Sequence, residues 1–210
     1  MHPKAIVAVL VALALGLLGG LALGTVDRGE TPADDSVAAG FARDMKTHHD
    51  QAVEMSWIIH ERTDDRLVRS LAYDIARTQE NQSGQMAGWL AAWGLRPTGP
   101  GEMMEWMQGL GHDHEGDPNA RLTEDGGMPG MASEEELDEL RSLSGKDAEI
   151  LFLQLMIRHH EAGVPMAQVA LDYSQNDAVE NLARSIITSQ TAEVETMTQM
   201  LEERGAKPLD

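Results

Sequence analysis

The chain has 210 residues and 42% of them are hydrophobic, which is enough for one domain with a buried core. The formal net charge of −19 argues against nucleic acid as a partner, because binding to phosphate depends on lysine and arginine. The sequence has no cysteine, which excludes disulfides, zinc–thiolate sites and thiol nucleophiles, and leaves 13 methionines and 8 histidines as candidate ligands.

The first predicted element is an apolar helix over residues 5–24, which carry no charge. A helix of that length rises about 30 Å, the thickness of the hydrocarbon core of a bilayer. Lys4 precedes the segment, so we expect the N-terminus to stay inside and the rest to be exported. Residues 1–24 are therefore predicted to be a transmembrane anchor or a signal peptide, followed by a linker over 25–35. The working domain is expected outside the cell membrane, and secreted if cleavage occurs near Gly24.

An internal duplication organises residues 36–208. Residues 41–97 align without a gap with residues 152–208, so that Phe41 matches Phe152 and Pro97 matches Pro208, 111 positions later in each case. Each copy predicts a helical hairpin, with helices over 36–61 and 65–93 and then over 146–173 and 177–204. Two such hairpins bury their apolar faces only against each other, which predicts a four-helix bundle in which 36–97 and 146–208 are the two hairpins.

The connection over 98–145 is rich in glycine and proline up to residue 132, and Ser133 with Glu136 then predicts a capping box for a short helix ending near Leu143. The connection is also predicted to hold a possible loop metal site, looser and exposed, for which the alternative is a solvated acidic loop with incidental methionines. Its candidate ligands are Met103, Met104, Met107, His112, His114, Met128 and Met131.

Each first helix of a hairpin contains two adjacent histidines on its predicted inner face. At 100° per residue the histidines share a stripe with methionines one to two turns away, so we expect all of them to face the core. A single buried histidine is more often a hydrogen-bonded core residue, but two matching copies favour a metal site. The candidate metal ligands are His48, His49, His159, His160, Met45, Met55, Met156 and Met166.

Polar residues interrupt the apolar stripe of each partner helix. They are Gln79 and Gln82 in the first hairpin and Gln190 and Glu193 in the second. A buried amide or carboxylate needs a partner, and a metal-bound imidazole usually donates its other N–H to such an acceptor. We expect these four residues to orient the histidines or, failing that, to ligate the metal directly.

The ligand types favour copper. Imidazole with thioether suits copper, particularly Cu(I), whereas di-iron bundles use Glu-x-x-His motifs that this sequence lacks. Four histidines could still hold zinc, so zinc and iron remain less favoured alternatives.

The paired F-x-x-x-M-x-x-H-H-x-x-A/G-x-x-M segments and the stretch MPGMASEEELDELRSLSG resemble the domain-of-unknown-function family 305. The resemblance spans nearly all of residues 36–208 and implies a ferritin-like fold, export, and copper binding as in some members. The Q-x-x-E-x-x-x-M element of that family also implies roles for Met86 and Met197. Two departures from the family are Gln82 in place of glutamate and Pro165, which we expect to kink the helix beside His160.

The sequence therefore predicts an exported copper-binding protein that sequesters or delivers the ion. The alternatives are a metal-dependent oxidoreductase on the same scaffold and a structural or signalling ectodomain that binds no metal. Outside the candidate ligands the sequence offers no nucleophile or acid–base constellation, which disfavours the enzyme. Oligomeric state is not predicted.

Overall fold

A computed structural model of the chain describes residues 31–108, 110 and 126–209, and all of these except Thr31 belong to a compact unit that begins at Pro32. In this part of the chain there are five α-helices and no strands, which confirms the all-α prediction. The helices are α1 (Val37–Arg62), α2 (Arg66–Trp93), α3 (Glu134–Ser142), α4 (Gly145–Tyr173) and α5 (Asp177–Glu203), with a 3₁₀ helix at Glu105–Met107 between α2 and α3.

The bounds of the four long helices lie within about one residue of the predicted ones, because local sequence signals set them. Ser36, Asp65 and Asn176 precede α1, α2 and α5, and each accepts hydrogen bonds from backbone N–H groups of the first turn. Gly94 ends α2 and Gly205 follows α5, with φ of 71° and 76°, a left-handed conformation that suits glycine.

The capping box of the short helix is confirmed. The Ser133 side chain accepts from the backbone N–H of Glu136, and the Glu136 side chain accepts from the backbone N–H of Ser133. Helix α4 continues through Pro165 as one element to Tyr173, and Met166 directly after the proline is fully buried. The proline does not move Met166 out of the core.

Helices α1 and α2 form one hairpin and α4 and α5 form the other, and the hairpins meet mainly through α1 and α4. The apolar core consists of two clusters of buried side chains. The Met45 cluster contains Phe41, Met45, Met86, Met166 and Ile186 among others, and the Met55 cluster contains Met55, Ile75, Phe152, Met156 and Met197 among others. Burying each such side chain contributes roughly 1.5–3 kcal/mol to folding.

A layer of polar side chains occupies the middle of all four long helices, between residues of the two apolar clusters. On α1, for example, His48 and His49 lie between Met45 of one cluster and Ala52 of the other. On α4 the order is reversed, with Met156 of the Met55 cluster before His159 and His160 and Met166 of the Met45 cluster after them. The glutamines occupy the corresponding segments of α2 and α5.

None of the helices in the described part of the chain is long and apolar enough to cross a membrane. The predicted anchor or signal peptide, residues 1–24, and most of the linker lie outside the described residues.

Candidate metal centre

The four histidines of the two repeats are fully buried, each with 0% of its surface exposed. The prediction that both members of each pair face the core is therefore confirmed. His48 and His49 lie on α1, and His159 and His160 lie on α4. Because α1 and α4 pack against each other, the two pairs meet in the interior of the bundle.

His48 and His159, which are equivalent residues of the two repeats, stack on each other. Their ring centroids are 3.7 Å apart and the ring planes are inclined by 33°. His159 also donates its Nε2–H to the backbone carbonyl of His48, over 2.9 Å. That carbonyl can only accept, so the proton of a neutral His159 ring sits on Nε2 and its Nδ1 carries a lone pair.

His49 and His160 point to their own partner helices. The Nε2 of His49 lies 2.8 Å from Oε1 of Gln82 on α2, and the Nε2 of His160 lies 2.7 Å from Oε2 of Glu193 on α5. Both oxygens accept, so the imidazoles donate from Nε2. Nδ1 of each ring is buried and has no hydrogen-bond partner among the described residues.

Burial keeps three of these imidazoles neutral. It is the main cause that lowers the pKa of His48 and of His49 to about 3, with the nearby His160 adding to the effect in both cases. Burial also lowers the pKa of His159 well below its usual value. Neutral imidazole is the form that binds a metal, so protons do not compete for these rings at neutral pH.

His48 differs from the other three histidines. Neither of its ring nitrogens has a hydrogen-bond partner of normal geometry among the residues described. The backbone of Pro129 lies near enough to oppose the lowering of the His48 pKa slightly. The ring can therefore present either nitrogen to a ligand.

Gln79 and Gln190 occupy equivalent positions in the two repeats and are each 2% exposed. Within the described part of the chain, no hydrogen-bond partner reaches either side-chain amide. The sequence predicted that all four polar residues of the partner helices accept from the histidines. The structure shows these hydrogen bonds for Gln82 and Glu193 and not for Gln79 and Gln190. Glu193 is also less buried than expected, with 24% of its side chain exposed.

Gly163 makes room for this polar layer. A Cβ added there would lie 2.6 Å from Oε1 of Gln190 and 3.3 Å from Cε1 of His48. The equivalent residue of the first repeat is Ala52, so the two halves are not packed identically around their amides.

Six methionines that the duplication relates in pairs group into two sets of three. Met45, Met86 and Met166 belong to the Met45 cluster, while Met55, Met156 and Met197 belong to the Met55 cluster. All six are fully buried. Each set draws one residue from each of three helices, and the duplication relates the sets to each other. One set lies on each side of the histidine layer.

In the described ranges, no three histidine, aspartate or glutamate side chains converge closely enough to hold one ion. An ion bound in this layer would need further donors, which here means imidazole combined with thioether sulfur or with the unpaired amides of Gln79 and Gln190. The lone pairs on buried Nδ1 atoms and the adjacent methionine sets supply the first combination, so the residues present fit a soft metal better than a hard one.

Most methionines of the connection between the hairpins pack into the core and do not form an exposed group of ligands. Met104 and Met128 are buried in the Met45 cluster, and Met107 and Met131 pack against it partly buried. The expectation that these methionines are exposed is wrong, except for Met103, which is 40% exposed. His112 and His114 lie outside the described residues.

Two residues that the sequence did not single out hold the connection in place. Asp44 accepts hydrogen bonds from the Met104 N–H and the Trp106 indole N–H, each over 2.8 Å. The Gln51 amide pairs with both the N–H and the carbonyl of Ala132, over 2.7 and 2.9 Å. Both lie beside the apolar stripe of α1, and nothing in their local sequence marks contacts 60 to 81 positions away.

Comparison with solved structures gives the same fold. A DUF305 protein from Streptomyces coelicolor, a candidate secreted protein, is 46% identical over 85% of this chain and 99% of its own, with a TM-score of 0.74. A DUF305 fragment from Deinococcus radiodurans is 35% identical over 80% and 96%, with a TM-score of 0.62. CopM in its Cu(II)-bound form is 25% identical over 80% and 97%, with a TM-score of 0.59.

CopM structures also exist in Cu(I)-bound and silver-bound forms. No curated protein matches the sequence. The family model described as "Domain of unknown function (DUF305)" matches residues 38–201, which span all five described helices almost completely. The chain belongs to the DUF305 family.

Proposed function

We propose that this protein is an exported binding protein that sequesters or delivers copper through buried imidazole and thioether ligands. The observation that carries the proposal is the hydrogen bonding of His49, His159 and His160. Each donates from Nε2 to an oxygen, over 2.7 to 2.9 Å, which directs the Nδ1 lone pair to another partner. Metal-binding histidines use this arrangement, because the outer hydrogen bond fixes the ring and raises its basicity.

The choice of copper rests on the remaining donors. The methionine sets beside the histidine layer offer neutral, polarisable sulfur, which prefers Cu(I) to zinc or iron. Hard ions need several oxygen ligands, and in the described residues carboxylates do not gather with the histidines into a group of three or more. The relative CopM, which has been solved with Cu(II), supports the same choice.

We assign His48, His49, His159 and His160 as imidazole ligands, with Met45, Met55, Met156 and Met166 as thioether ligands. Met86 and Met197 complete the two methionine sets. Gln82 and Glu193 orient His49 and His160 through their hydrogen bonds. The buried amides of Gln79 and Gln190, which have no hydrogen-bond partner among the described residues, are proposed as further ligands.

Binding, rather than turnover, suits the burial of the site. All four histidines are inaccessible to solvent, whereas catalysis needs a site that substrate can reach. An extracytoplasmic location is proposed from the apolar N-terminal segment and from the relative that is a candidate secreted protein. Export would place the domain where incoming copper is first met.

A competition titration tests this proposal. The purified protein is titrated with Cu(I) against a chromogenic chelator, next to the double variant His49→Leu/His160→Leu, whose leucines fill similar volumes. We expect the parent to withdraw copper from the chelator and the variant to lose at least tenfold in affinity. Thr191→Ala on the exposed face of α5 serves as the unchanged control. Equal competition by parent and double variant would show that these histidines are not ligands.

A further inference from the structure

The two repeats differ in the group that accepts a hydrogen bond from the second histidine of each pair. Gln82 and Glu193 are equivalent positions, 111 residues apart, and each accepts from the Nε2 of a fully buried histidine. The two hydrogen bonds have nearly the same length, 2.8 Å to the amide and 2.7 Å to the carboxylate. The geometry around His49 and His160 is therefore matched, while the chemistry of the acceptor is not.

A carboxylate acceptor changes what the imidazole offers a cation. It draws the Nε2 proton more strongly than an amide does, so electron density rises at Nδ1 and the ring becomes a stronger ligand. Its negative charge also offsets the charge of an ion taken into a low-dielectric interior, where an uncompensated charge is costly. The amide of Gln82 supplies neither effect in full.

The two acceptors also differ in their exposure to solvent. Gln82 is only 6% exposed and forms part of the wall of an open groove between α2 and α5, lined also by Gln85, Trp89 and Leu182. The Glu193 side chain is 24% exposed, so its charge reaches solvent and can attract a cation there. Solvent screens part of that charge, which keeps the expected effect moderate.

We infer that the two halves of the protein load soft metal ions in sequence, with the His160 half binding first and Glu193 setting the order. The inference rests on the proposed copper-binding function. Glu193 acts as a positioning residue through His160. The His49 half, oriented by the neutral Gln82, is the weaker site and fills second.

The test compares the full-length chain, purified in detergent, with Glu193→Gln, Gln82→Glu and the double exchange Gln82→Glu/Glu193→Gln. Cu(I) binding is followed by chelator competition. Carbon-13 methyl signals of methionine report which half is filled, with Met156 one turn before His160 and Met45 one turn before His49 as reporters. The variants Met156→Leu and Met45→Leu assign the two signals.

We expect two binding steps in the parent, the first of which shifts the Met156 signal. Glu193→Gln should weaken the first step by about 10- to 100-fold, which is the usual effect of losing such a hydrogen-bonded partner. Gln82→Glu should strengthen the second step by a similar factor. The double exchange should reverse the order, so that Met45 responds first, which a merely structural role of Glu193 would not produce.

Other results separate this inference from the function on which it rests. Copper binding in a single step, or unchanged affinities in both single variants, would overturn sequential loading and leave the copper-binding proposal standing. An early response of Met45 in the parent would also overturn the order. Failure of the parent to take any copper from the chelator would overturn the proposed function itself.

Discussion

His48 stacks on His159 with ring centroids 3.7 Å apart, at the place where the two copies of the repeat meet. The stack is fully buried, and the carbonyl of His48 accepts the Nε2–H of His159. Both rings remain neutral, because burial disfavours a charge on each of them and the nearby His48 further disfavours a charge on His159. The centre of the protein is therefore sensitive to acid.

Acid should destabilise the metal-free protein because of these histidines. The pKa of His48 and of His49 is about 3 in the folded state, against about 6.5 in an unfolded chain. Between these values the unfolded state binds more protons, so stability falls as pH falls from 6.5 towards 3. The linkage slope is about 1.4 kcal/mol per pH unit for each such histidine.

Urea unfolding in the presence of a chelator, at pH 7.5, 6.5, 5.5 and 4.5, measures this dependence. The control is His48→Leu/His159→Leu, which removes the stacked pair and should have a smaller slope than the parent over the same range. Parallel loss of stability in both proteins would mean that the stacked pair does not contribute to acid sensitivity.

Gly163 should tolerate alanine poorly, even though alanine normally favours a helix. An added Cβ would lie 2.6 Å from Oε1 of Gln190 and 3.3 Å from Cε1 of His48, and all three residues are buried. Gly84 on α2 is the matched control, since a Cβ there meets no described atom within 4 Å. Gly84→Ala should gain about 0.5–1 kcal/mol, and Gly163→Ala should be less stable than it by about 1–3 kcal/mol. Thermal unfolding of both variants measures whether each substitution stabilises or destabilises the protein.

Substitution of the methionines should show whether they bind the metal or only pack the core. Leucine resembles methionine in volume, so Met45→Leu/Met86→Leu/Met166→Leu should stay folded, at a cost of less than about 1.5 kcal/mol per site. The same variant should lose Cu(I) affinity by tenfold or more while its affinity for Zn(II) hardly changes, because only the soft ion depends on sulfur. Parallel competition titrations with the two ions measure this. Undiminished Cu(I) binding would assign these methionines to the core alone.

The unpaired amides should limit the stability of the metal-free protein. Gln79→Met replaces a buried amide, which contacts no hydrogen-bond partner within the described chain, by an apolar side chain of similar length. We expect a gain of about 1–3 kcal/mol in the free energy of unfolding. Gln82→Met is the contrasting control, since it removes the acceptor of His49 and should lose a comparable amount. Urea midpoints of the two variants should therefore move in opposite directions.

The sequence by itself determined the helices and which way the histidines face. Caps such as Ser36, Asp65 and Gly94 are local, and the 3.6-residue period fixes the side of α1 on which His48 and His49 lie. Because the duplication has no gap, the second repeat makes the same prediction for His159 and His160. These features depend only on residues within a few turns of each other.

Only the tertiary structure decided which groups meet. In the structure His48 stacks on His159, His49 donates to Gln82, and His160 donates to Glu193. The amides of Gln79 and Gln190 have no hydrogen-bond partner in the described chain. The tertiary structure also buries Met104 and Met128, which the sequence had placed in an exposed loop. The physical reason is that such contacts depend on how far each helix slides and turns against its neighbour. That relation is set by packing over the whole interface, and the period within one helix carries no information about it.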